Sequence, residues 1–199
     1  YEANKHYFLN LYHQQHYDTA MSTLPVVNST MFITRIEVWV TNRTSNTENT
    51  RNIVAFSDLG EALPSNCQGN PGSYAGTEIP DNQGNGLYDW AANQPMVRGF
   101  VNSTTALSTQ VNAPGPFLQA VDYEKVENAR KLTEAEFTYN ALLGYISLNN
   151  ALNNDEVLAV SYEYTYRGDT YQVGEFSTDG ASGQQALILK LIKPTITNP

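Results

Sequence analysis

All three histidines of this 199-residue chain lie in its first 16 residues, as His6, His13 and His16. Imidazole is a common ligand of transition metals, and residues three apart on a helix share one face. A zinc site needs further ligands that converge on the metal, and no H-E-x-x-H motif or comparable set accompanies this pair. We therefore predict no metal site and expect these histidines to be surface or half-buried polar residues.

Candidate nucleophiles and paired carboxylates are also sparse. Cys67 is the only cysteine, so no internal disulfide can form, and its polar loop holds no basic neighbour to lower the thiol pKa. Glu134 and Glu136, like Asp155 and Glu156, are close in sequence but are predicted to be solvated charges that do not face each other. The sequence thus predicts no catalytic residue and no cofactor, and we interpret the chain as a protein without enzyme activity.

The tripeptide Arg167-Gly168-Asp169 presents a guanidinium and a carboxylate to integrins in some adhesive ligands. The same residues also suit a tight turn, because glycine tolerates positive φ and aspartate makes local hydrogen bonds. We predict a turn at this position and keep the adhesive interpretation as a minor alternative.

Aromatic side chains offer another kind of binding chemistry, because their faces can stack on sugar rings while polar neighbours hydrogen-bond the hydroxyls. Trp39, Tyr74, Tyr88 and Trp90 are candidates for such a platform, although aromatic residues in β proteins more often belong to the core. A carbohydrate- or surface-binding β-sandwich module is therefore the alternative function for this chain.

The clearest structural pattern runs from residue 157 to 166, where large apolar side chains alternate with smaller polar ones, as in a half-buried strand. Gly168-Asp169 is predicted to form a two-residue hairpin loop. That loop would pair Tyr166 with Tyr171 and Tyr164 with Val173. We expect residues 144–176 to form a three-stranded antiparallel meander.

The remaining patterns complete a mainly β fold. Helical spacing predicts one helix over residues 11–22, and alternation predicts strands over 31–41, 52–56 and 186–193. Residues 123–132 are predicted as one or two helical turns, and residues 96–101 as a brief extended run within a turn-rich region. Residues 137–139 are also predicted to be extended. Together these elements predict an antiparallel β-sandwich, jelly-roll-like in one version, with one N-terminal helix and long loops.

Charge and length limit the functional classes. The chain has 11 Lys+Arg and 20 Asp+Glu, and its net charge of −9 opposes binding to nucleic acid or to an anionic membrane surface. No apolar run approaches the ~20 residues of a membrane-spanning helix. We expect residues 1–199 to form a single soluble domain excised from a larger protein.

Five stretches of the sequence resemble the SprA/Sov family. They are TRIEVWVTN (34–42), RNIVAFSDLGE (51–61), VDYEKVENARKL (121–132), LGYISLN (143–149) and NDEVLAVSYEYTYRGDTYQVGEFSTDG (154–180). Their order and spacing match as well, so the resemblance covers most of the chain from His6 to Lys193. The turn-rich region from 67 to 115 matches least.

That family forms the outer-membrane translocon of the type IX secretion system, a very large β-barrel that exports folded cargo and supports gliding motility. The resemblance implies that this chain is a soluble, extracellular insertion between barrel strands, with a periplasmic position as the alternative. It implies a non-catalytic role in the cap or gating of the pore. The implied partners are the barrel and its loops, accessory outer-membrane proteins and secreted cargo, which would contact exposed strand edges and aromatic patches.

Overall fold

The computed structural model describes residues 3–44, 48–61, 79–109, 116–179 and 183–195. These residues form a mainly β protein, as predicted. In chain order the elements are β1 (His6–Phe8), α1 (Leu11–Met21), β2 (Met31–Val40), β3 (Thr50–Phe56), α2 (Leu87–Ala92), α3 (Pro95–Arg98), α4 (Ser103–Thr109), β4 (Tyr123–Lys131), β5 (Phe137–Asn140), β6 (Tyr145–Leu148), β7 (Leu158–Tyr166), β8 (Asp169–Val173) and β9 (Leu187–Lys193).

The larger of two sheets closes on itself. Its six strands follow the order β2-β4-β3-β9-β7-β8, and β2 also pairs with β7, so β2, β4, β3, β9 and β7 form a barrel-like ring. All neighbours in the ring are antiparallel except β3 and β9, which are parallel. The prediction of a plain antiparallel sandwich is therefore wrong, because the pairing of β2 with β7 closes the sheet on itself.

Strand β7 closes the ring because one of its edges pairs with β2 and the other pairs with β9 and β8. One edge pairs with β2 along Leu158–Tyr166. The other edge is divided: Leu158 to Val160 pair with β9, and Tyr162 to Tyr166 pair with β8. Strand β8 consequently projects from the ring as the second arm of a hairpin.

One apolar cluster receives side chains from all five strands of the ring. It contains Ile53 and Ala55 of β3, whereas Val54 and Phe56 belong to a different cluster on the opposite face of that strand. This separation follows the two-residue period of a strand. The other members of the shared cluster are Trp39, Val126, Ala129, Val157, Ala159, Leu187, Leu189 and Leu191.

The opposite face of the ring strands is covered by two further layers. On one side, β2 and β7 pack against Leu9, Tyr12 and a three-stranded antiparallel sheet with the order β1-β6-β5. On the other side, apolar residues of β3 and β9 pack against α2, α3 and α4. Apolar residues on both faces of β9 explain its continuous hydrophobic run.

The helices agree with the sequence only at the N-terminus. The predicted first helix is confirmed as α1, where the Asn10 side chain accepts a hydrogen bond from the His13 backbone N–H at 2.9 Å. The expectation of a single helix is wrong, because α2, α3 and α4 follow. The predicted extended run at 96–101 also fails, since Pro95 occupies the first turn of α3, where its missing N–H costs nothing.

Residues 123–132 contain the strand β4 and not the predicted helical turns. Val126 and Ala129 share one apolar cluster although they are three residues apart, which resembles a helical period. The cause is a bulge opposite Arg51 and Ile53, where Asn128 has φ 51° and its N–H donates to the Asn52 side chain at 2.9 Å. One extra residue shifts the phase of the strand alternation.

The β7–β8 hairpin is confirmed, but its register differs from the prediction. The two loop residues are Arg167 and Gly168, with φ 53° and 97°, so both have the positive φ of a type I′ turn. Tyr166 therefore pairs with Asp169, and Tyr164 pairs with Tyr171. The predicted meander is wrong, because β6 pairs with β1 and β5 in the smaller sheet and not with β7.

Candidate functional site

The histidines do not share one environment. His16 is exposed and stacks on Tyr12 with ring centroids 4.1 Å apart, and His6 is exposed on β1. His13 is only 4% exposed, so the expectation of a surface or half-buried residue is wrong for this histidine. Within the described residues, no group of three or more His, Cys, Asp or Glu side chains is arranged to hold a metal ion.

His13 belongs to a buried hydrogen-bonded chain beneath α1. Its Nδ1 lies 2.9 Å from the Asn10 Oδ1, and the Asn10 Nδ2 donates to the Tyr162 hydroxyl at 2.9 Å. The Asn10 oxygen is an acceptor, so the Nδ1 of His13 carries the proton and its Nε2 has no hydrogen-bond partner among the described residues. Burial, with repulsion from His16, lowers the pKa of His13 to about 4. This imidazole is therefore a neutral structural group.

A buried ion pair joins α1 to the ring. The Lys190 Nζ lies 2.6 Å from the Glu61 Oε1, and both side chains are at most 5% exposed. The same glutamate oxygen accepts the Leu11 N–H at 3.4 Å, and Lys190 also donates to the Ser57 carbonyl. Because each charge is compensated only by its buried neighbours, the cluster is structural.

The aromatic residues proposed as a platform are separated by the fold. Trp39 is 1% exposed inside the ring cluster, and Trp90 packs against Phe117 with centroids 5.5 Å apart. The Tyr88 hydroxyl donates to Glu175 at 2.8 Å, and burial raises the pKa of Tyr88 to about 12. Tyr74 lies outside the described residues, as does Cys67. The described members therefore do not form a common exposed surface.

The predicted turn at Arg167-Gly168-Asp169 is confirmed at the tip of the β7–β8 hairpin, where all three residues are exposed. The Arg167 guanidinium carbon lies 5.0 Å from the Tyr166 ring centre. A Cβ added to Gly168 would meet nothing within 4 Å. The tip is thus open to solvent.

The carboxylate pairs are engaged with neighbouring groups. Burial by itself would raise the pKa of Glu136, but its contacts with Arg130 at 2.8 Å and with the Thr133 N–H at 2.9 Å outweigh that effect and lower the pKa. Asp155 and Glu156 both bind Arg43. Glu134 is exposed beside a groove that is the strongest candidate for an interaction surface.

This groove, which we call the edge groove, lies between β2 and β5 and has a volume of about 470 Å³. Neither strand pairs with the other: β2 pairs with β4 and β7, and β5 pairs with β6. A hydrogen bond from the Ile33 N–H to the Ala141 carbonyl closes one end, and one from the Leu132 N–H to the Val38 carbonyl closes the other. The lining residues are Thr34, Arg35, Ile36, Glu134, Phe137, Thr138 and Tyr139.

The β2 wall of the edge groove is held in place by contacts of its charged side chains. The Arg35 guanidinium lies 3.7 Å from the Phe176 ring centre and donates to the Thr178 hydroxyl at 2.7 Å. Glu37, 8% exposed, accepts hydrogen bonds from Lys131 at 3.2 Å and from the Ser177 N–H at 2.9 Å. These contacts preorganise the wall.

The arrangement is suited to binding and not to bond-making chemistry. Strand edges that lack a neighbouring strand can accept an additional extended segment, and Tyr139, 41% exposed, offers an aromatic anchor beside them. Sequence reasoning identified both strands as extended but missed the groove. Alternation in residues 137–139 is visible in the sequence, whereas the approach of β5 to β2 is a property of the folded chain.

No protein-family model matches the chain, and no curated protein matches it. None of the helices among the described residues has both the length and the apolar character needed to cross a membrane.

Proposed function

We propose that this chain is a non-catalytic domain of a type IX protein-secretion translocon, which contributes to the cap or gating of the outer-membrane pore. This proposal is based on the resemblance of five stretches to the SprA/Sov family. In the fold, these stretches supply β2, β3, β4, β6, β7 and β8. The resemblance thus covers four strands of the ring and is not confined to isolated turns.

The edge groove supports this proposal because a cap domain acts by contact and shape. An extended loop of the barrel, an accessory outer-membrane protein or a passing cargo segment would add to the strand edges in the groove. The ring behind the groove provides a rigid support, since its strands share one buried apolar cluster. The domain would then narrow the channel without rearranging itself.

A secretion assay in cells tests this role. In the full-length translocon, Tyr139→Lys places a charge in the edge groove and is expected to reduce cargo secretion several-fold at an unchanged level of translocon in the outer membrane. Val101→Lys is the matched control, because Val101 is 79% exposed and lies outside the groove. Equal secretion by the Tyr139→Lys variant and the wild type would contradict a role for the groove.

The extracellular position is tested separately with a protease tag inserted after Gly168, at the open hairpin tip. We expect proteases added to intact cells to cleave this tag while a periplasmic control protein stays protected. Cleavage only after the outer membrane is permeabilised would place the domain in the periplasm instead.

A further inference from the structure

The outward face of the smaller sheet combines aromatic and hydrogen-bonding side chains. Phe8 of β1 pairs with Tyr145 of β6, and His6 pairs with Ser147, so these four side chains share one face. The opposite face carries Ile146 and other residues of the buried core. The outward four residues are half-buried or exposed.

A solvent-open concavity of about 490 Å³ lies on this face. Tyr17 of α1 forms a wall: its ring lies 5.5 Å from Phe8, at 74° to it. The rings of Phe8 and Tyr145 are 6.5 Å apart at 84°. The full lining is His6, Tyr7, Phe8, Tyr17, Tyr145 and Ser147.

Polar groups lie directly beside these rings. The His6 Nδ1 and the Ser147 Oγ are 2.8 Å apart. A purely apolar occupant would remove His6 and Ser147 from water without replacing those hydrogen bonds, which is costly. The chemistry of the concavity therefore favours a ligand with both an apolar face and hydroxyl groups.

The charges of the lining residues and of the whole chain limit the class of ligand further. None of the six lining residues is Asp, Glu, Lys or Arg, so the concavity has no guanidinium or ammonium group for a phosphate or carboxylate ligand, and no carboxylate for a cation. The net charge of −9 also disfavours anionic ligands. An uncharged sugar meets both requirements, because its C–H face packs on aromatic rings and its hydroxyls bind polar side chains.

We propose that the concavity between β1, β6 and Tyr17 of α1 binds an uncharged saccharide. A sugar ring stacks on Tyr145, contacts Phe8 and hydrogen-bonds with His6 and Ser147. The site uses residues other than those of the aromatic platform considered from the sequence. It does not depend on the translocon function, and either proposal can fail without the other.

Nuclear magnetic resonance titration of the ¹⁵N-labelled chain tests this site. The probes are the methyl glycosides of glucose, galactose, mannose and N-acetylglucosamine, together with cellobiose and maltose. We expect at least one probe to cause saturable shifts confined to β1, β6 and Tyr17, with a millimolar dissociation constant. Tyr145→Ala should weaken that binding about tenfold or more, because it removes the stacking surface.

Phe32→Ala is the matched control, since Phe32 is an exposed aromatic residue that lines neither the concavity nor the edge groove. It should leave saccharide affinity unchanged, and the spectrum of each variant reports whether it is folded. Three results would overturn the proposal. The first is the absence of a saturable shift with any probe up to about 100 mM, far above the expected dissociation constant. The second is equal saccharide binding by folded Tyr145→Ala. The third is binding of an extended Leu/Phe-rich peptide, and of no sugar, at this face.

Discussion

At the residue scale, the contact between His13 and Gly144 explains why the loop before β6 needs glycine. A Cβ added to Gly144 would lie 2.1–2.3 Å from atoms of the His13 ring, and Gly144 has φ +60°. Any side chain there must displace a buried imidazole. The contact therefore sets the distance between α1 and the smaller sheet.

We predict that Gly144→Ala destabilises the protein strongly in urea unfolding. Overpacking a buried site costs about 1–3 kcal/mol, in addition to about 1–2 kcal/mol for positive φ. Gly168→Ala is the control, because Gly168 also has positive φ, +97°, but has no atom within 4 Å of an added Cβ. Equal losses in the free energy of unfolding for the two variants would contradict the contact between Gly144 and His13.

The lowered pKa of His13 also predicts how the free energy of unfolding depends on pH. Its pKa is lowered from 6.5 to about 4, so below pH 6.5 the unfolded chain takes up a proton that the folded chain does not. The stability associated with neutral His13 is fully present above pH 6.5 and is lost as the pH falls towards 4, by about 3 kcal/mol in total.

The measurement is urea unfolding of the wild type, His13→Gln and His16→Gln at several pH values between 4 and 7. His13→Gln should flatten the pH dependence, whereas His16→Gln, at an exposed position, should keep most of it. Asp81 and Asp122, whose pKa values are raised by burial, act in the opposite sense in all three proteins. An unchanged slope in folded His13→Gln would refute the assignment.

At the element scale, an ion pair attaches the short helices to the ring. Arg98 of α3 binds Glu175 through two nitrogens, and the same carboxylate accepts the Ile188 N–H at 3.0 Å. The two side chains are 15% and 6% exposed. Helices of this length are not stable alone, so this pair and the apolar contacts of α2–α4 keep them in place.

We predict that Arg98→Met costs about 3–5 kcal/mol, because it leaves a buried carboxylate without its counter-charge. Hydrogen exchange in residues 87–109 should also become faster. The control is Arg130→Met, which breaks a pair whose side chains are 34% and 33% exposed and should cost about 1 kcal/mol or less. Comparable losses for both variants would show that the Arg98 pair does not anchor the helices.

Local sequence patterns predicted those elements whose alternation or spacing is regular. The strands β2, β3 and β9 and the helix α1 fall where the sequence places them. The predictions that failed have local physical causes. A bulge at Asn128 gave β4 a helical spacing. The hairpin loop begins with positive φ at Arg167, one residue before the predicted position, Gly168. That one-residue change in the loop accounts for the altered register of β8.

At the scale of the whole molecule, closure of the ring could not be predicted from the sequence. It depends on the division of one edge of β7 between β8 and β9, and on the parallel pairing of β3 with β9 from opposite ends of the chain. The edge groove and the concavity on the smaller sheet have the same origin. Both require long-range placement of β5 and β1, which short segments of three or four residues do not encode locally.

The proposed contact between this domain and other parts of a secretion translocon can be tested by in-cell crosslinking. A photoreactive phenylalanine analogue is placed at Tyr139 of the full-length protein, and an analogue at exposed Glu127 is the control. We predict light-dependent adducts at position 139 that contain translocon components or secreted cargo. Absence of such adducts, or an identical pattern from position 127, would contradict the claim that the edge groove is the contact surface.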